Sequence, residues 1–369
     1  MKIKLQSTDE GIAKSLSALA RAGNDLWIGG DEGVDIVCTR HDPASGDFEY
    51  VDRLNLTSIF ELPIEAEKEG SEVDLEGLDF DGRYLWVLGS HSGKRKAAEF
   101  GKRDSKNLER LETLTQKGNR FLLGRVPLMV EVNGNSSVLA PGSYLTDHFP
   151  ACLEFDATRN ELIDELRGDS LLKPFLHAGL PSKDNGLDIE GLAWDDTHKR
   201  LFLGLRAPVL RGTAVILDLR FDASFGGKDA AGELSLKPIG PDGQKYRRHF
   251  LGLGGLSVRD LCFDGDDLLV LAGPALPLPW PPTIFRWVGA KNSPADGEER
   301  FYWKEKGDLV LADPGKMPGK PEAGNAEGIL LWERDQLLIV RDSIAMGGYL
   351  EAPAPGRLDV RLDVVPWPP

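Results

Sequence analysis

Asp74-Leu75-Glu76-Gly77-Leu78-Asp79-Phe80-Asp81-Gly82-Arg83-Tyr84-Leu85-Trp86-Val87-Leu88-Gly89 reads as a strand, a tight turn and a returning strand. Asp81-Gly82 is a strong hairpin signal, because glycine takes positive φ without steric cost. Tyr84 to Leu88 carries aromatic and β-branched side chains that suit a pleated surface. Four other stretches copy the start of this unit: Ser15-Leu16-Ser17-Ala18-Leu19, Asp188-Ile189-Glu190-Gly191-Leu192, Val258-Arg259-Asp260-Leu261-Cys262 and Asn325-Ala326-Glu327-Gly328-Ile329. Each is followed by a turn and a second apolar run, such as Leu201-Phe202-Leu203-Gly204 or Leu337-Leu338-Ile339-Val340. Such hairpins are too short and too apolar to stand alone, so neighbouring copies must pack on one another.

The interval from Asp74 to Asp188 is nearly twice the others, which predicts one degenerate unit inside it. Phe121–Gly124, or Met129–Val132 with Ser137–Leu139, would supply its strands. Six units of about 60 residues arranged radially form a closed β-propeller with few exposed strand edges. The expectation is therefore an all-β, six-bladed β-propeller with short helical loop insertions, forming one domain over residues 1–369. Leu108, Leu111 and Leu114 predict a surface helix within the charged segment 94–117, and Glu161–Leu166, running on to His177, predicts another. The proline-rich segment 273–283, with Pro294, and the Pro/Gly segment 313–324 read as rigid loops. The tail is expected to close the ring through Leu358–Val364.

The chain has 369 residues, with 44 Lys and Arg against 59 Asp and Glu, a net charge of −15. A surface of this sign repels phosphate backbones and anionic lipid, so nucleic-acid and membrane-surface partners are not expected. Cys38, Cys152 and Cys262 are odd in number and widely spaced, which fits neither a zinc cluster nor a disulfide framework. The N-terminal residues lack an apolar signal core, and no run is long enough to span a bilayer. The expected location is cytoplasmic.

In a propeller, the start of each inner strand and the end of its returning strand meet at one mouth of the central channel. The strand starts carry Asp74, Glu76, Asp188, Glu190, Arg259, Asp260 and Glu327. The strand ends carry Asp31-Glu32, Ser90-His91-Ser92, Arg206 and Arg341-Asp342-Ser343. A ring of carboxylates repels itself unless arginines, protons or a cation offset it. Glu76, Glu190 and Asp260 are candidate ligands for Ca2+ or another divalent cation, and Glu76, Glu190 and His91 are candidate catalytic groups. Arg206, Arg259, Asp260, Arg341 and Glu327 are candidate ligand-binding residues. Each also has a structural reading: the glutamates lock neighbouring blades, the arginines form internal ion pairs, and His91 is a solvated loop residue. There is no GxSxG elbow, P-loop, HExxH or EF-hand loop.

The Glu-Gly strand starts at Glu76, Glu190 and Glu327, with Trp86–Ser92, Leu203–Pro208 and Val340–Asp342, resemble a bacterial family of unknown function over nearly the whole chain. They are also similar to phytase-like and SdiA-regulated-like propellers and, more loosely, to lactonase-type ones. That resemblance implies a channel mouth that often holds calcium and, in the enzymes, a phosphate ester or lactone. It carries over only Glu76, Glu190 and Glu327 as channel carboxylates. The chain lacks the dense acidic loop cluster of calcium-rich phytases. The expected function is binding of a small anionic ligand at the mouth, with divalent-cation-dependent phosphoester or ester hydrolysis. The alternative is a non-catalytic propeller that docks a protein or senses a metabolite, working through the segments 94–117 and 273–283.

Overall fold

The computed structural model describes every residue except 66, 67, 69, 117, 277, 279, 294, 295, 313–324, 342–349, 368 and 369. The chain is mostly β, and each of the five hairpins read from the sequence opens its own sheet. The five inner strands are Leu16–Ala22, Leu75–Phe80, Asp188–Asp195, Ser257–Asp264 and Ala326–Glu333. Each pairs antiparallel with its returning strand. Each inner strand also packs against the next in cyclic order, and the fifth packs against the first. Apolar side chains fill every gap between neighbouring sheets. Leu75 and Leu85 meet Trp27 between the first and second, and Leu16 and Leu26 meet Leu338 and Val340 between the fifth and first. The result is a closed, propeller-like ring.

Among the described residues there are five such sheets, not six. Leu123–Val130 and Ala151–Leu153, where a degenerate unit was expected, are the third and fourth strands of the second sheet, outside Tyr84–Gly89. Ser136–Val138 pairs with the far end of Leu123–Val130. The extra length is insertion: the hairpin Gly93–Arg95 with Leu114–Gln116, the exposed helix Asp104–Glu112, and the helices Glu161–Gly168 and Lys173–His177. The two predicted helical insertions are therefore present. Pro277, Pro279, Pro294, the segment 313–324, Asp342 and Ser343 lie outside the described residues.

The tail closes the ring as expected, and it does so twice. Arg357–Arg361 pairs with Lys2–Gln6, which joins the first sheet beside Phe48–Asn55. Asp363–Pro366 then crosses to the fifth sheet and pairs with Gln336–Arg341.

Every inner strand has the same irregularity near its start. The ladder skips one residue, a β-bulge, and the skipped residues are Ser17, Glu76, Glu190, Arg259 and Glu327. A bulge re-aims the side chain it carries. Four of the five line one cavity at the channel mouth: Glu76, Glu190, Arg259 and Glu327. The next residue, Gly77, Gly191 or Gly328 in three strands, abuts the neighbouring inner strand. A Cβ at Gly77 would lie 2.6 Å from Leu192 Cβ, and one at Gly328 would lie 2.5 Å from Leu19 Cδ2.

Candidate functional site at the channel mouth

A cavity of about 120 Å³ opens where the inner strands begin. Six carboxylates line it: Asp31, Asp74, Glu76, Asp188, Glu190 and Glu327. Four basic side chains, Lys94, Lys183, Arg206 and Arg259, face them. The arginines are already engaged. Arg206 Nη1 donates to Glu190 Oε1 at 2.7 Å and to Asp188 Oδ2 at 3.3 Å. Arg259 Nη1 lies 3.2 Å from Glu190 Oε2, and Arg259 Nη2 donates to Glu327 Oε2. Glu190 thus bridges two guanidinium groups from adjacent sheets, and Arg259 bridges two glutamates. Each is buried, so this chain ties three sheets together.

On the opposite wall, Asp74 takes the left-handed backbone (φ 58°) that aspartate tolerates better than most residues. Its carboxylate accepts from Ser90 Oγ at 2.6 Å and Lys94 Nζ at 2.9 Å, and Arg120 Nη1 lies 3.3 Å away. Burial would raise its pKa, but the charges of Lys94 and Arg120 outweigh that and hold it below the usual carboxylate range. Asp31 and Glu76 have no basic partner at ion-pair distance among the described residues. Withdrawal from water and then the charge of Asp74 push Asp31 up to about 8. Burial and then Asp31 push Glu76 well above the ordinary glutamate value. Carboxylate oxygens of Asp31, Asp74 and Glu76 all lie within 4.8 Å of one another.

Asp188 completes the wall. Burial and the charge of Glu190 raise it to about 7, against the pull of Arg206. Its Oδ1 is buried and has no hydrogen-bond partner among the described residues.

Of the residues singled out from the sequence, Asp31, Asp74, Glu76, Asp188, Glu190, Arg206, Arg259 and Glu327 meet in this cavity. Asp260, expected as a cation and ligand contact, does not. Its carboxylate accepts from Leu261 N at 2.8 Å and from Ile329 N at 2.7 Å, locking the fourth sheet to the fifth. Arg341 donates through Nε to Asp363 in the closing strand at 2.6 Å. His91 is buried, and neither expected setting, a solvated loop or the mouth, is where it lies. One ring nitrogen meets Gly89 O at 2.7 Å and the other meets Asn160 Nδ2 at 2.8 Å. Burial drives its pKa down to about 4, so the ring is neutral and both its nitrogens are occupied. Lys94 and Arg120 went unnoticed in the sequence. Lys94 was legible in principle, because it follows directly on the Ser90-His91-Ser92-Gly93 end of a returning strand.

Residues 15–350 match the family model described as "Protein of unknown function (DUF3616)". The chain belongs to that family. No curated protein sequence matches it. Among solved structures, the DUF3616 chain is similar to the PQQ-bound aldose sugar dehydrogenase of Streptomyces coelicolor, with 12% identity and a TM-score of 0.34 over 99% of this chain and 98% of that one. It is similar to a glucose dehydrogenase-like oxidoreductase of Thermus thermophilus, with 13% identity and a TM-score of 0.34 over 97% and 99%. It is also similar to the periplasmic gluconolactonase of Pseudomonas aeruginosa, with 14% identity and a TM-score of 0.28 over 95% and 88%. Likeness this distant transfers no activity to this chain.

Proposed function

We propose that this protein is a five-bladed propeller whose channel mouth binds one divalent cation through Asp31, Asp74 and Glu76 and presents it to a small, oxygen-bearing anionic ligand. The observation that carries the reading is the convergence of these three carboxylates, two of them without a basic partner, in a cavity of about 120 Å³. Charge supports it: once a cation displaces the protons that the raised carboxyls hold, six carboxylates against four basic groups leave two negative charges, which one divalent ion offsets. An all-oxygen ligand set suits calcium. An anion would approach through that ion, because the guanidinium groups of Arg206 and Arg259 are already paired with carboxylates.

The chemistry that fits is hydrolysis of an ester or phosphoester. A cation held there would polarise the ester oxygen. Asp188 is the proton-transfer group: its raised value near 7 suits general acid–base work at neutral pH, and its Oδ1 is uncommitted. Glu190, expected as a base or ligand, acts here as an anchor for Arg206 and Arg259. The same ion-paired anchoring supports the second reading, a ligand-binding ring without turnover.

Calorimetric titration with Ca2+, Mg2+ and Mn2+ tests the proposal. One ion per chain is expected, with Glu76→Gln weakening binding at least about tenfold. If none of the three ions binds, the proposal fails. A panel of phosphoesters, esters and lactones then separates the two readings: Asp188→Asn should abolish turnover while leaving the cation in place.

A further inference from the structure

A second, larger cavity of about 340 Å³ adjoins the mouth, and large apolar side chains stand in its walls. Its walls include Leu114, Phe121, Ile163, Phe175, Leu176 and Leu180, contributed by the insertions of the second sheet, with His91, Thr115 and Arg167 among them. Its size, and walls that set apolar side chains beside a few polar ones, match those of small-molecule sites. Three chain segments pass directly from one cavity to the other. Ser92 faces the mouth and Gly93 the apolar cavity; Ser182 and Pro181 divide in the same way, as do Asp188 and Leu187. Lys94 lines both, with its ammonium group on Asp74. The two spaces are thus neighbours across a thin partition, with a charged side chain, itself partly exposed, at their junction.

The geometry points to one bipartite site for an amphipathic molecule: an oxygen-bearing head at the carboxylate mouth and a medium-length aliphatic chain in the insertion cavity. This names the ligand class for the function proposed above and rests on that reading for the place of the head. A head group alone would leave the larger space, with its six large apolar side chains, unused. An aliphatic chain there removes its methylenes from water, and each buried methylene strengthens binding about fourfold.

The test is a calorimetric series of butanoate, hexanoate and octanoate, with and without excess calcium, on the full chain. The expected result is an affinity that rises about fourfold per methylene in calcium. Leu114→Asp and Leu180→Asp should flatten the series without lowering the melting temperature or calcium uptake, since Leu114 and Leu180 are 52% and 37% exposed. Calcium uptake with no chain-length dependence, or with a dependence that both variants preserve, overturns the inference and leaves the cation reading intact. A chain-length dependence that the variants abolish, without any calcium uptake, upholds the apolar half and overturns the cation reading. Loss of both overturns both.

Discussion

Asp31 and Glu76 decide the pH at which the mouth accepts a cation. With its value raised to about 8, Asp31 holds a proton at neutrality, and a cation must displace it. Calcium affinity should therefore climb from pH 6 to about 8 and level off above, with proton release on binding at pH 7. Titrations in buffers of different ionisation enthalpy check this, and Asp31→Asn should shrink the pH dependence to what Glu76 contributes and remove much of the affinity. Stability carries the opposite sign. A carboxyl raised in the folded state binds its proton more tightly there than in the unfolded chain, so its contribution is complete below the unfolded value and fades as pH rises through the folded one. Glu76 and Asp188 are shifted the same way. The melting temperature in chelator should fall between pH 6 and pH 8, and calcium should reverse that fall. A melting temperature that rises over this interval in chelator would contradict the raised values.

At the scale of the element, the bulge explains what the sequence alone misaligned. By sequence alone, Val258-Arg259-Asp260 sets Asp260 where three of the other strands carry glutamate. The paired register places Arg259 there instead, and puts Asp260 at the position of Gly77 and Gly191. A slip of one residue reverses every side chain of a strand, so a candidate ligand became an inter-sheet lock and a candidate clamp became the centre of the ion-pair chain. The repeat itself was plain, because Glu-Gly recurs with its turn and its apolar return. Its fourth copy was not, because an acidic residue, Asp260, stands one place after the bulge and draws the match with the glutamates. Arg259→Met would leave the buried Glu190 and the half-buried Glu327 without their bridge, and should cost about 3–5 kcal/mol in urea unfolding. Gly191→Ala would bring a Cβ to 2.8 Å from Leu261 Cγ and should cost about 1–3 kcal/mol. Gly82→Ala tests the turn without touching a neighbouring sheet, because nothing lies within 4 Å of a Cβ there.

For the whole molecule, the count of sheets was the least legible feature, and the reason is physical. Spacing along a chain measures residues, whereas a ring counts inner strands. The segment between the second and third hairpins is long because it adds outer strands, a small hairpin and helices to one sheet. Those same insertions build the apolar cavity, so the misjudged length and the unforeseen cavity share one cause. Closure was legible, since the tail already read as a strand with no other place to pair. It also makes the ring and the site interdependent: the mouth draws Asp31 from the first sheet and Glu327 from the fifth, and the tail joins those two. Leu362 sits between the two tail strands, 3% exposed, in the apolar cluster shared by the first and fifth sheets. Leu362→Ala should lower stability by about 2–5 kcal/mol. Because the ring has no free end at which to open independently, the loss should appear as one cooperative transition shifted to lower temperature. Saturating calcium at about 100 times its dissociation constant should restore roughly 2.7 kcal/mol, and the combined Leu362→Ala, Glu76→Gln chain should lose that rescue. Two separate melting transitions, or calcium rescue that survives Glu76→Gln, would mean that the mouth is not assembled by closure of the ring.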